Sequence, residues 1–159
     1  MNVSQPDLHY RVAALVGDCA HCIDEEQYEA WPDFFADDCF YQITSHESYK
    51  KKMPIGILQC NSKGMLADRI YSMRQANIFE PHRYRHLLGA TQLTGGHDGL
   101  IESRTSFAIL RIMESGKSDL FLSGVYRDTI LAAGDALKFS KRIVVLDSSR
   151  VDTLIVLPV

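Results

Sequence analysis

The sequence predicts an α+β fold in which a curved sheet, mixed or antiparallel, wraps around N-terminal helices as a cone. Three observations carry this. Leu8, Val12, Leu15, Val16, Cys19 and Ile23 recur at helical spacing. After Pro81, segments 83–94, 100–114, 118–132 and 137–147 are rich in β-formers, and Gly95-Gly96, Gly116 and Gly134-Asp135 separate them as hairpin or loop signals. Helices first and a long meander after is the α+β order, and 159 residues suit one domain, 1–159.

The elements follow in order. The apolar stripe gives an amphipathic helix over 7–23. Asp24 followed by Gln27 resembles a capping box for a second helical segment with the face Tyr28, Trp31, Phe34 and Phe35. Pro32 lies inside it, so two short turns or a kink are expected. "CFYQITS" (39–45) reads as a short strand and 50–56 as a loop broken by Pro and Gly. Met65, Ile70, Met73 and Ile78 suggest a third helix over about 63–76. Within 137–145, Leu137, Phe139, Ile143 and Val145 alternate with Lys138, Ser140 and Arg142, which places Arg142 on the polar face. "TLIVLP" (153–158) reads as a last buried strand or tail.

Composition excludes several classes. Hydrophobic residues make up 46% and charged residues 23%, ordinary for a globular protein able to bury a core without staples. The net charge of −3 gives no bulk electrostatic case for nucleic acid or an anionic membrane. No apolar stretch approaches the length of a membrane helix. "MNVSQPDLHY" has no basic segment followed by an apolar run, so a cytoplasmic chain with reduced thiols at Cys19, Cys22, Cys39 and Cys60 is expected.

"CAHC" (19–22) contains Cys19-x-His21, half of a Rieske ligand pair, and seventeen residues separate His21 from Cys39. Gln42 stands where the second histidine is needed. On a helix, His21 lies about 200° from Cys19, so the two cannot bind one iron. Cys19 is then a small core residue and His21 a surface residue. Cys19-x-x-Cys22 lacks the βαβ setting of a redox motif. Lys50-Lys51-Lys52 has no glycine-rich loop to make a phosphate site and reads as solvated. Asp147 before "SSR" is read as a local hydrogen-bonding residue, and Trp31, Phe34 and Phe35 as core.

"EPHRYRHLLG" (80–89) is the densest functional-looking stretch. On a helix His82 and His86 could share a metal, but no H-E-x-x-H pattern completes it. On a strand, 82, 84 and 86 share one face and Arg83 and Arg85 the other. Two readings follow. The basic residues pair with acidic partners, in this chain or a neighbour. Alternatively His86 or His82 works as a general base with Asp38 or Asp68, in a pocket lined by Tyr28, Trp31 and Phe35, as in a stand-alone isomerase or dehydratase. A binding module without chemistry would share that pocket.

The order of the pieces resembles a known family. "MLADRIYSMRQANIFEPHRYRHLLG" (65–89), "FAILRIMESGKSDLFLSGVYRDTI" (107–130) and "LKFSKRIVVLDSS" (137–149) resemble the small (beta) subunit of bacterial aromatic-ring-hydroxylating oxygenases. Asp68-Arg69-Ile70, Arg85-His86, Gly124-x-Tyr126-x-Asp128, and Arg142 followed by Val144, Leu146 and Asp147 carry the match, with W-P-x-F-F, Cys39 and Tyr41 before them. Within the family the text resembles small subunits of oxygenases acting on aromatic carboxylates, such as salicylate 5-hydroxylase or terephthalate dioxygenase. The resemblance implies the cone fold of nuclear transport factor 2, ketosteroid isomerase and scytalone dehydratase. It implies a mainly structural, non-catalytic subunit with no cofactor, packed against a large alpha subunit, commonly as three alpha and three beta chains. The Rieske [2Fe–2S] cluster, mononuclear Fe(II) and substrate pocket would belong to the alpha subunit, with electrons from a ferredoxin and an NAD(P)H-dependent reductase. Arg69, Arg83, Arg85 and His86 are then expected to make structural or interface polar contacts.

Overall fold

The apolar stripe near the N-terminus forms α1, Gln5–Asp24. The computed structural model describes residues 5–54, 56–76, 79–151 and 155–159. Val12, Val16, Cys19 and Ile23 are buried on one face of α1, and His21 is exposed. Leu8 is half-buried against the same core. Tyr28–Phe34 is a 3-10 helix rather than an α-helix, with Pro32 inside and no side-chain cap. Its C-cap Phe35 starts β1, Phe35–Ser45. The strand therefore begins four residues before Cys39, where the sequence had placed its start.

Two short elements flank the loop expected over 50–56. Ser45 Oγ accepts the Ser48 N–H at 3.1 Å and caps α2, His46–Lys50. Leu58–Cys60 forms β2. Lys63–Ala76 is α3, at the predicted bounds, with Leu66, Ile70 and Met73 buried. Four long strands follow: β3 (His82–Gly95), β4 (Leu100–Met113), β5 (Ser118–Ala133) and β6 (Ala136–Leu146). The turn glycines Gly116 and Gly134 adopt φ of +92° and +62°, conformations that side chains resist.

The described residues form one sheet in the order β2-β1-β6-β5-β4-β3. Pairing is antiparallel except for β1 with β6, which run parallel. The sheet is therefore mixed, because the first long strand returns to lie beside the last. A Cβ on Gly124 would meet the Val145 carbonyl at 2.0 Å, so glycine is what lets β5 lie this close to β6. The helices cover the inner face of the sheet, and β3 is an edge.

β-Bulges decide which side chains of β5 and β6 enter the cone. Ile130 pairs with Phe139 but Thr129 pairs with Lys141, so Ser140 is an extra residue. Alternation flips there, and Arg142 turns inward to 1% exposure. This corrects the sequence reading of Arg142 as a polar-face residue. On β5, Ile109 pairs with Leu122 and Leu110 with Leu120, so Phe121 is extra and Leu120 turns outward. On β3, pairing shifts between Leu88 and Thr91.

The segment read as a last strand or tail falls partly outside the described residues, at 153–154. The remainder, 155–159, is not strand. Ile155, Leu157 and Val159 are buried as an irregular plug.

Candidate functional site

Asp24 closes α1 and is buried, although its sequence neighbourhood suggested a helix cap. Its carboxylate accepts the His86 backbone N–H (3.0 Å to Oδ2) and the His86 Nδ1–H (2.6 Å to Oδ1). A carboxylate only accepts, so Nδ1 carries the proton. Arg85 Nη1 lies 3.8 Å from Oδ2, and Arg83 Nη2 donates to the Asp24 carbonyl at 2.9 Å. Cationic donors suit the negative end of a helix dipole. The last turn of α1 is thus clamped to the edge strand. As the strand reading required, Tyr84 and His86 are buried while Arg83 and Arg85 are exposed.

A second polar cluster lies deeper. Arg142 Nε and Nη2 each donate to Asp128 at 2.8 Å, a bidentate pair with both side chains buried. Tyr126 and Phe139 sandwich the guanidinium at 4.0 and 4.1 Å, and Cys19 Sγ lies 4.0 Å from Nη1. Burial pushes the Asp128 carboxyl up and Arg142 opposes it. Burial also works against the Arg142 charge, but Asp128 outweighs that and makes the guanidinium hold its proton more tightly. The pair is ionic.

The stand-alone acid–base pair is not assembled. Asp38 and Asp68 are exposed, and neither touches His86, whose carboxylate is Asp24. His82 Nδ1 bonds the Glu80 carbonyl at 2.8 Å, and four residues of extended strand put His82 and His86 about 13 Å apart, too far to share a metal. Tyr28, Trp31 and Phe35, expected to line the pocket, fill the core instead, with Trp31 edge-on to Phe35 and Tyr41 at 5.3 Å. Tyr41 Oη donates to the Val159 carbonyl at 2.8 Å, and Arg69 Nη2 to the Ile155 carbonyl at 3.2 Å, holding the plug in place. The void left there is about 10 Å³, room for one water at most. A 480 Å³ groove does open between α1, the 3-10 helix and the β5–β6 hairpin, but its walls include His21 and neither His82 nor His86.

The four thiols are free and buried. Burial pushes Cys19 up to about 12 against the pull of Arg142, and Cys39 up to about 11. Such thiols are neither nucleophiles nor ready metal ligands. Cys19 faces the core, His21 faces out, and Gln42 reaches the Pro54 carbonyl and Gln59. These residues do not fit a Rieske cluster. Among the described residues no three His, Cys, Asp or Glu side chains are grouped to hold a metal ion.

The comparisons with known proteins accord with this geometry. The family model described as "Ring hydroxylating beta subunit" matches residues 19–153. The chain belongs to the ring-hydroxylating beta subunits. It is 38% identical over 148 residues to a Comamonas protein, terephthalate 1,2-dioxygenase terminal oxygenase component subunit beta 1, covering 93% of this chain and 96% of that one. It is 34% identical over 137 residues to the anthranilate 1,2-dioxygenase small subunit of Burkholderia cepacia, covering 86% and 85%. A crystal structure assigned as the beta subunit of an aromatic-ring-hydroxylating dioxygenase from Novosphingobium aromaticivorans superposes with a TM-score of 0.87 at 29% identity, over 96% of this chain and 97% of that one. A protein from the same organism assigned as a scytalone dehydratase superposes at 0.70 with 11% identity, over 93% and 89%, which shows the shared cone fold alone. Both the beta-subunit assignment and the cone fold read from the sequence hold. Among the described residues no helix is long and apolar enough to cross a membrane.

Sequence reasoning missed Asp24 as a structural residue and Arg142 as an interior one. Asp24 meets a partner 62 positions away, and the Arg142 face depends on a bulge. Neither leaves a local signal.

Proposed function

We propose that this chain is the non-catalytic, structural beta subunit of a terminal oxygenase that hydroxylates an aromatic carboxylate such as salicylate. It works in the cytoplasm with a large alpha subunit, as three alpha plus three beta chains. The alpha subunit holds the Rieske [2Fe–2S] cluster and the mononuclear Fe(II), and a ferredoxin and an NAD(P)H-dependent reductase contact the complex. Neither nucleic acid nor membrane is a partner. The carrying observation is the filled cone. The interior of the cone contains an aromatic core, a buried ion pair and the 155–159 plug. The aromatic carboxylate follows from the terephthalate and anthranilate relatives.

Arg69, Arg83, Arg85 and His86 make structural or interface polar contacts in this proposal. Arg69 and His86 act within the chain. Arg83 and Arg85 are exposed on the edge strand and can also reach a partner. The test is reconstitution. The chain alone should turn over no aromatic acid, and activity should require the iron-bearing chain. Charge reversal at Arg83 or Arg85 should lower the yield of complex while leaving the iron content of the isolated alpha subunit unchanged. Turnover by the purified chain alone, lost in His86→Ala, would reject the proposal.

A further inference from the structure

The lysine run at 50–52 does not act as one solvated stretch in the fold. Lys51 is exposed and pairs with Glu47 at 2.7 Å. Lys50 and Lys52 have no carboxylate partner among the described residues. Two residues apart on a helix, they would point to opposite sides. Lys52 instead leaves the end of α2 with φ of +54°, and both lysines line one cavity of about 440 Å³. Small-molecule clefts run from roughly 300 to 1,000 Å³.

The cavity lies between α2 and the outer face of β1. Cys39, Tyr41 and Ile43 point into the core, so Gln42 and Thr44 face the other way and form its floor. Thr44 is 2% exposed, and its hydroxyl has no hydrogen-bond partner among the described residues. The oxygen is not sealed off, so the little surface Thr44 keeps opens on the cavity. A hydroxyl buried without a partner costs free energy, and a bound ion is one of the few things that explains such a group. Beside it, Gln42 Nε2 donates to the Pro54 carbonyl and to Gln59 Oε1, both at 3.4 Å, beyond the ordinary length of a hydrogen bond. Tyr49 and Met53 are the walls, 39% and 52% exposed. Arg127 lies over the Tyr49 ring at 5.5 Å and adds a third cation next to the site. Among the described residues no Asp or Glu lines the cavity.

We propose that this cavity binds a small aromatic carboxylate. Lys50 and Lys52 hold the carboxylate, and the Thr44 hydroxyl donates to it. The Tyr49 ring and the Met53 thioether pack against the arene. Lysines beside apolar walls, with no backbone nest and no arginine fork, suit an organic acid better than inorganic phosphate. The site uses none of the residues assigned to assembly, and it stands whether or not the chain works as a beta subunit.

The test is an NMR titration of the full-length chain, labelled at its methionine and threonine methyl groups, with benzoate, benzamide and inorganic phosphate. Benzoate should move the Met53 and Thr44 methyl signals and bind at least about tenfold more tightly than benzamide, which lacks the charge, or phosphate, which lacks the ring. Lys50→Ala with Lys52→Ala should weaken benzoate at least about tenfold, and Lys50→Arg with Lys52→Arg should keep most of the affinity. Thr44→Val keeps the shape, removes the hydroxyl and should weaken benzoate about fivefold. The lysine pair is exposed, so it decides the matter even if Thr44→Val fails to fold. Phosphate or benzamide binding as tightly as benzoate overturns the aromatic carboxylate as ligand. No saturable shift, shifts that spare Met53 and Thr44, or affinity that survives the loss of both lysines overturns the site.

Discussion

Arg142 and Arg127 occupy adjacent strands and meet opposite surroundings. Arg142 points into the cone, where Asp128 answers its charge bidentately and two aromatic rings enclose it. Arg127 points out, with a tyrosine ring beside it and no carboxylate among the described residues. The contrast extends to the two faces of the sheet. Inside, charges are paired, thiols are protonated and the space beside Trp31 and Tyr41 is closed by aromatic rings and the plug. Outside, leucines and arginines stand uncovered. An interior built this way supports shape rather than chemistry, and the uncovered face is the part free to meet another chain.

The comparison breaks most visibly at the buried pair. Asp128→Ala leaves Arg142 charged and unpaired inside the cone, which should cost about 3–5 kcal/mol. Thermal melting of this variant against Arg127→Ala, which should change stability by less than about 0.5 kcal/mol, checks the difference directly. Equal losses would mean the two arginines do not live in different environments.

A smaller effect is expected at the α1 clamp. Asp24→Ala leaves the His86 N–H and Nδ1–H without an acceptor, at about 1–3 kcal/mol. Hydrogen exchange should rise at the end of α1 and along the first half of β3, because that carboxylate joins them. Exchange confined to α1 would show that the edge strand is held by other contacts.

The smallest effect is one of pH. The Cys19 pKa is raised on folding, from 9.0 to about 12, so folding favours the protonated thiol. The sign follows from linkage. The contribution is full below about pH 9 and is lost as pH climbs toward about 12. Cys19→Ala should flatten stability against pH across that alkaline window, read by urea titration at several pH values. Cys19 should also resist thiol reagents at neutral pH until the chain unfolds. Rapid labelling of the native protein would contradict a sealed interior.

Much of this was readable in the sequence where the signal is local and repeated. α1 and α3 show helical periodicity, and the four long strands are rich in β-formers and separated by glycines. The 46–50 helix and the 58–60 strand were not readable, because each exists only against β1: one is capped by Ser45 at its end, the other pairs through three residues. Parallel pairing of β1 with β6 joins the two ends of the chain and has no local trace. The site residues divide in the same way. Exposure of Arg83 and Arg85 and burial of His86 follow from strand alternation. That His86 meets Asp24, rather than Asp38 or Asp68, depends on where α1 ends in space. Alternation placed Arg142 outside, and one bulge at Ser140 reversed it.

The most direct test of the account is native mass spectrometry of the complex captured from its own cells. The account predicts a large assembly with equal numbers of this chain and a heavier, iron-containing chain, with all the iron on the heavier one. A homodimer with no heavier chain, active by itself on a small substrate, would contradict it.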